Sequence, residues 1–214
     1  MIARGLLIIG FGSHAHSVAD VALDLGIPAL IFVDANARPG EEFAGFPVVT
    51  GMPEPLQEGW SVIAAAGDNR ERQGQIETAI KQNLPVTSLV SKRAYVGVGA
   101  TVLPGAFVAH HAHLGPMSSV DRGTIINTAA VVEHDCRIGE CSHVSVNATV
   151  AGRCQIGSLV FLGAGSTVID GIRIVDRVMI GAGSTVIGDI TEPGVYVGCP
   201  VRRVEKLPTK GRTE

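Results

Sequence analysis

Val144-Ser-Val-Asn-Ala-Thr-Val150-Ala-Gly-Arg-Cys-Gln-Ile156-Gly-Ser-Leu-Val-Phe-Leu162 has an aliphatic residue at every sixth position. Four places after each comes a small or β-branched residue: Ala148, Cys154 and Val160. The same beat runs outward from this stretch, back through Ile138, Val132, Ile126, Val120, Leu114, Val108 and Val102 to Val96, and forward through Val168, Ile174, Ile180 and Val186 to Thr191. A period of six is neither the 3.6 of a helix nor the alternation of an ordinary strand. It is the mark of hexapeptide repeats, which stack into a parallel β-helix. Three hexads close one triangular coil of eighteen residues, so residues eighteen apart stand one above the other at strand spacing, about 4.8 Å. Slightly more than five coils are predicted.

Composition agrees. Aromatic residues make up 4% of the 214, whereas glycine occurs 27 times. A narrow prism holds Val, Ile, Ala and Ser but not large rings. The net charge of −3 gives no basic footprint for nucleic acid. No apolar run reaches the ~20 residues of a membrane span. The N-terminus has no charged leader, apolar core or cleavage site, so a mature cytoplasmic protein is expected. The four cysteines show no CxxC spacing. Cys136 and Cys154 fall in inward slots one coil apart and read as stacked core residues.

Residues 1–90 follow a different rhythm. Strands are predicted at 5–10, 27–33, 61–66 and 85–90, and helices at 17–25 and 70–82. Strand, turn and helix at this density imply a small parallel α/β, Rossmann-like domain. The predicted division is 1–90 for that domain, 91–205 for the β-helix and 206–214 for a frayed tail.

The first helix follows Gly10-x-Gly12 directly, and its free N–H groups and dipole form an anion site suited to a diphosphate. Asp34 ends the second strand, where a carboxylate meets a ribose or base. About 90 residues are too few for both halves of a dinucleotide fold, so a mononucleotide or nucleotide sugar fits better than NAD. Gly67-Asp68-Asn69, closing a later strand, is predicted to line the same crevice. A tight turn with no ligand is the alternative.

His134 lies in Val132-Glu-His-Asp135, in the slot where side chains leave the prism, with Asp135 available to fix its tautomer. His143 comes nine residues later, which is half a coil. The two therefore leave opposite sides of one prism, and can meet only between subunits of a cyclic trimer. His143, Ala164, Ala182 and Pro200 fall within three positions of one vertical column if the beat continues to Pro200. Small residues stacked there form a ridge on which pantetheine can lie, with Arg202 and Arg203 beyond it for phosphates. In His110-His111-Ala-His113 no more than two side chains converge, and no metal site is expected.

These motifs resemble those of the left-handed β-helix acyltransferases that modify bacterial nucleotide amino sugars. The pattern is nearest to the bacillosamine and perosamine N-acetyltransferases, with sialic-acid O-acetyltransferases sharing the outline. The resemblance rests on Gly10-Phe-Gly-Ser-His14, Val33-Asp34, Gly67-Asp68-Asn69, Ile126-Asn127-Thr128, Val132-Glu-His-Asp-Cys136, Ser142-His-Val-Ser145 and Gly198-Cys-Pro200. It implies a left-handed coil, where the usual crossover preference would be right-handed. It also implies a homotrimer with interfacial active sites, acetyl-CoA as co-substrate and no metal. Within that family pattern, His134 would be the general base and Asp135 its partner. Gly12, Ser13, His14, Asp34, Ala35, Gly67 and Asp68 would surround the nucleotide, with Asn127 near the sugar. His143, Ala164 and Ala182 would follow acetyl-CoA, and the column count adds Pro200 and Arg202 to them. Ser13 and His16 replace a glycine and a basic residue of the usual turn.

The expected activity is N-acetylation of a nucleotide-linked amino sugar, a 4-amino-4,6-dideoxy sugar, in surface-glycan biosynthesis. O-acetylation of a sialic-acid-type sugar is the nearest alternative. A β-helix carbonic anhydrase with zinc between subunits and a non-catalytic nucleotide-binding protein are more distant ones.

Overall fold

The computed structural model describes residues 3–205, so the tail assigned to 206–214 lies outside the described residues. In the N-terminal domain the elements run β1 (Gly5–Ile9), α1 (Ser13–Asp24), β2 (Leu30–Val33), β3 (Glu42–Phe43), β4 (Phe46–Val49), β5 (Trp60–Ala64) and α2 (Asn69–Lys81). The sheet order is β3-β4-β2-β1-β5, all parallel except the β3–β4 hairpin. Both β1 and β5 are near-continuous apolar runs because helices and solenoid cover the sheet. Leu6, Ile8, Phe32 and Ile63 are fully buried. The β3–β4 hairpin was not foreseen. Its turn, Ala44-Gly45, needs positive φ at both residues (51° and 82°), and Ala44 in place of Asn or Asp hides the usual hairpin signature.

The segment expected as a last strand of this domain, 85–90, divides. Val86 makes a single bridge to Val62 of β5. Strand β6 (Leu89–Val90) instead pairs with Phe107–Val108, eighteen residues on. Val90 is thus already on the six-residue beat, and β6 is the first rung of the solenoid.

The solenoid has three parallel faces. Face 1 begins with β6 and includes Ile125–Ile126, His143–Val144 and Phe161–Leu162. Face 2 includes His113–Leu114, Val131–Val132 and Thr149–Val150. Face 3 includes Ser119–Val120, Arg137–Ile138 and Gln155–Ile156. Registers step by eighteen residues, as in Ile126↔Val144 and Val144↔Leu162. The core consists of the six-beat aliphatics and the small residues four places later, Cys136 and Cys154 among them.

A second six-residue beat marks the corners. Positive φ recurs at Ala129, Asp135, Cys141, Asn147, Arg153 and Leu159, and glycine takes the same slot at 123, 165, 171 and 183. A non-glycine residue there costs about 1–2 kcal/mol. It persists because hydrogen bonds between successive coils fix these corners, as with Asp135 N–H to Pro116 O and Arg153 N–H to His134 O.

The repeat ends early. The strand Gly194–Val197 pairs with Val178–Ile180 in a register sixteen residues apart (Val178↔Gly194, Ile180↔Tyr196), then turns back as a hairpin with Arg202–Val204. Gly198 N–H bonds Ser184 Oγ (3.0 Å) and Pro200 lies in the hairpin turn, out of the column in which the sequence placed it.

Candidate active site at the domain joint and solenoid corners

Face 1 carries the N-terminal domain, and α1 brings the glycine-rich turn down to it. Helix α1 starts at Ser13, four residues earlier than expected, with Gly12 as N-cap. No side chain caps it, and its first turn holds no acidic residue. That leaves the electropositive helix end open to an anion. Asp34 serves the turn itself: Oδ2 accepts from Phe11 N–H (3.1 Å) and Oδ1 from Asn36 N–H (2.8 Å). Ala35 lies exposed beside it. Asp68 caps α2, Oδ1 accepting from the N–H groups of Arg70 and Glu71. Both carboxylates thus shape the crevice by holding backbone, and the end of α2 is closed where the end of α1 is open. His16, at the place of the family's basic residue, stacks on Phe43 (4.4 Å) and meets Phe11 edge-on (5.3 Å), so it belongs to the aromatic cluster under the turn.

His14 points into the joint. Its ring lies 5.1 Å from Phe107 and 6.1 Å from His143, with Gly67 alongside. On face 1, His143 is 8% exposed. Its Nε2 meets Asn127 Nδ2 at 3.1 Å, and Asn127 Oδ1 accepts from Thr128 N–H. The amide therefore donates, which puts the proton of neutral His143 on Nδ1. Both His14 Nε2 and His143 Nδ1 are buried with no protein partner. Burial, reinforced by the Arg72 charge, lowers His14 to about 4. Burial, Arg72 and His14 lower His143 to about 3. The expected place of His143 on an open ridge is corrected: it sits under the N-terminal domain, three residues short of the corner bearing Ala164 and Ala182.

That corner, between faces 1 and 2, holds Gly163-Ala164-Gly165 and Gly181-Ala182-Gly183. A Cβ on Gly163 would fall 2.5 Å from Ala182 N, so successive coils touch through bare backbone. Arg202 is exposed on the terminal hairpin, whereas Arg203 is paired with Glu192 (2.5 Å).

His134 stands at the corner between faces 2 and 3, on the other side of the prism from His143. Its Nδ1 contacts Asp135 Oδ2 at 2.9 Å, and both side chains are about half exposed, 44% and 57%. Asp135 has φ +58°, so its carboxylate turns back along the chain to its neighbour. The ring lies over Gly152, where a Cβ would come within 2.6 Å of Nε2. The ring therefore stands at a different corner from the joint where His14 and His143 meet.

Other histidines have separate employment. His110 bridges Ser91 Oγ (Nδ1, 2.6 Å) and Asp20 (Nε2, 3.0 Å). The residue types are those of a nucleophilic triad, but Ser91 is 3% exposed and already accepts from Arg93 N–H. It clasps α1 to the first coil. His113 stacks on Tyr95. Among the described residues no group of three or more His, Cys, Asp or Glu side chains is placed to hold a metal ion.

A cavity of about 300 Å³ opens at the joint, lined by the Gly67-Asp68-Asn69-Arg70 turn and by Phe161, Arg177 and Met179. A larger groove, about 610 Å³, runs along face 3 past Arg137 and Arg173, away from the crevice. Arg72, and the bond by which Asn69, expected in the crevice wall, reaches across to Val160 O, bind the two domains and carry no sign in the sequence, because a polar residue on a polar-looking helix does not show that another domain will cover it.

The model of the PglD N-terminal domain family matches residues 5–79. The whole structure is similar to the acetyltransferase domain of PglB from Neisseria gonorrhoeae FA1090, with TM-score 0.88 and 30% identity over 94% of this chain and 100% of that one. The same domain in complex with acetyl coenzyme A gives 0.87 and 29%, with the same coverage. PerB from Caulobacter crescentus, in complex with CoA and GDP-perosamine, gives 0.83 and 30% over 94% and 97%.

Proposed function

The chain belongs to the left-handed β-helix acetyltransferase family of the PglB domain and PerB, and from that premise we propose that it transfers the acetyl group of acetyl-CoA to the amine of a nucleotide-linked amino sugar. The observation that carries the reading is the His134–Asp135 pair, with its free Nε2 standing across the prism from an uncapped helix N-terminus and a buried histidine pair.

The acceptor's diphosphate rests at the start of α1, on Gly12, Ser13 and His14, with Asp34, Ala35, Gly67 and Asp68 shaping the crevice. Its sugar reaches towards Asn127 and His143. Acetyl-CoA lies along the Ala164–Ala182 corner, with Arg202 near its phosphates. Because His134 faces away from this crevice, it serves the neighbouring subunit's, and the working unit is a homotrimer with three interfacial sites. The sugar amine attacks the thioester carbonyl carbon and the C–S bond breaks. His134 Nε2 takes the amine proton and delivers it to the departing thiolate. Asp135 stabilises the imidazolium formed between these steps. Holding both substrates at one junction supplies the proximity term.

The acceptor most consistent with the family pattern is a 4-amino-4,6-dideoxy sugar of surface-glycan biosynthesis, a cytoplasmic reaction. Thiol release from acetyl-CoA with UDP-, dTDP- and GDP-linked amino sugars, and with free and CMP-linked sialic acid, tests this. Release with one amino sugar supports N-acetylation, release with sialic acid alone replaces it with O-acetylation, and release with none overturns the reading. With the active acceptor, His134→Ala lowers turnover by ~10²–10⁴-fold while the oligomer persists.

A further inference from the structure

Arg72 heads the fully buried side chains ranked by volume. Among the described residues it has no salt-bridge partner, and Asp68, the carboxylate acting on it, is turned to cap α2. Its donors are spent on main-chain carbonyls at the joint. Nη1 donates to Ala66 (2.9 Å), Gly67 (3.3 Å) and Asp68 (3.3 Å), the turn lining the crevice. Nε donates to Gly123 O (2.6 Å), and Nη2 to Cys141 O (2.8 Å) and Ser142 O (3.3 Å), in stacked corners of the solenoid. Ser142 precedes His143. Asn69 Oδ1 accepts a further Nη2 bond (2.8 Å), and its Nδ2 continues to Val160 O (3.1 Å).

Burying a guanidinium without a counter-ion is expensive, and an apolar side chain of similar size commonly serves stability as well or better. The planar fork does what no apolar residue can: it fixes two domains at one separation through several directed bonds. We propose that Arg72 is a positioning residue of the transfer reaction, holding the Gly67–Asp68 turn of the nucleotide domain at a set distance from the strand that carries His143.

The proposal rests on the acetyl-transfer reading and adds an electrostatic role. The titratable and charged groups packed around the His14–His143 pair are Arg72 from α2, Asp68 at its cap and Cys141 from the solenoid corner. Burial pushes the Cys141 thiol up to about 11, so it stays neutral. Burial is the main cause that keeps both rings uncharged, and the Arg72 charge adds to it. The same cation disfavours an ammonium ion nearby, and an amine must be unprotonated to attack.

Arg72→Lys, Arg72→Met and Asn69→Ala separate the positioning role from the electrostatic one. Arg72→Lys keeps the charge and loses the fork. It raises KM for the nucleotide sugar ~10-fold or more, with the acidic limb of the kcat/KM profile unmoved. Arg72→Met raises KM and also moves that limb upward by roughly one pH unit. Asn69→Ala raises KM alone. Histidine titration by NMR, which needs neither acetyl-CoA nor acceptor, follows the same division. His14 and His143 take up protons at higher pH in Arg72→Met and not in Arg72→Lys. If the wild type shows no transfer, the titrations still judge the charge and nucleotide binding still judges the fork, so that failure is distinguishable from this one. Trimeric variants in which only the melting temperature falls, with KM, pH limb and titrations as in the wild type, would overturn the proposal.

Discussion

At the scale of single residues, Asp135 and Gly152 show how much local backbone geometry lies behind the proposed base, His134. Asp135 occupies the positive-φ slot of its hexad, so its carboxylate is delivered to His134 Nδ1 by the corner itself. Asn tolerates that conformation nearly as well, which makes Asp135→Asn a test of charge with the backbone held constant. Loss of a charged hydrogen bond of ~1.5–3 kcal/mol predicts a fall in kcat of about 10–100-fold with an unchanged melting temperature. Gly152 acts by having no side chain. A Cβ would sit 2.6 Å from the imidazole, and the ring is free to swing away. Gly152→Ala is therefore expected to fold normally and to lose at least ~10-fold in kcat through misplacement of Nε2. Unchanged kcat would show that the ring's place over Gly152 has no role in catalysis.

At the scale of elements, the Gly163-Ala164-Gly165 corner makes a paired prediction. A methyl on Gly163 would collide with the main chain of the next coil at 2.5 Å, whereas a methyl on Gly165 would meet nothing within 4 Å. Gly165 does have φ +65°, so Gly165→Ala costs about 1–2 kcal/mol of backbone strain. Gly163→Ala must push adjacent coils apart and costs more. Urea unfolding of the two variants gives the order, and equal destabilisation would contradict the close stacking. The joint between α1, α2 and face 1 makes a prediction in pH. His14 and His143 have folded values of about 4 and about 3 against 6.5 when exposed. The unfolded chain binds protons that the folded chain refuses, so stability is highest above pH 6.5 and falls as the pH drops towards 3. The slope is on the order of 1 kcal/mol per pH unit for each ring. Urea midpoints at pH 7.5, 6.0 and 5.0 are expected to decline, and more shallowly in His143→Gln. Identical declines would remove His143 from the account.

At the scale of the whole molecule, His134 and the Ala164–Ala182 corner stand on different edges of one prism. The proposed site takes one edge from each of two subunits, and a head-to-tail contact of this kind makes a ring when its rotation closes. Mixing His134→Ala subunits with Ala164→Trp subunits, each inactive alone, is expected to return activity after refolding together. Random assortment makes about a quarter of the junctions wild type on both sides. No recovery would mean that each subunit uses its own histidine.

The repeat was legible because a stacked coil repeats one local environment. Each inward slot demands an aliphatic residue, so the period appears in the sequence before any contact is known, and the opposite placement of His134 and His143 follows from counting. The end of the repeat was not legible. Val195, Tyr196 and Val197 read equally well as another rung at several registers, and pairing with Val178–Ile180 chose a step of sixteen, after which the chain turns back as a hairpin and leaves Pro200 in the turn. The burial of His143, the capping duties of Asp34 and Asp68, and the clasp of Arg72 likewise arise between segments far apart in the chain. A side chain's type records which bonds it is able to make. Which partner it meets depends on how two independently patterned domains dock, and that was decided only when face 1 closed against α1 and α2.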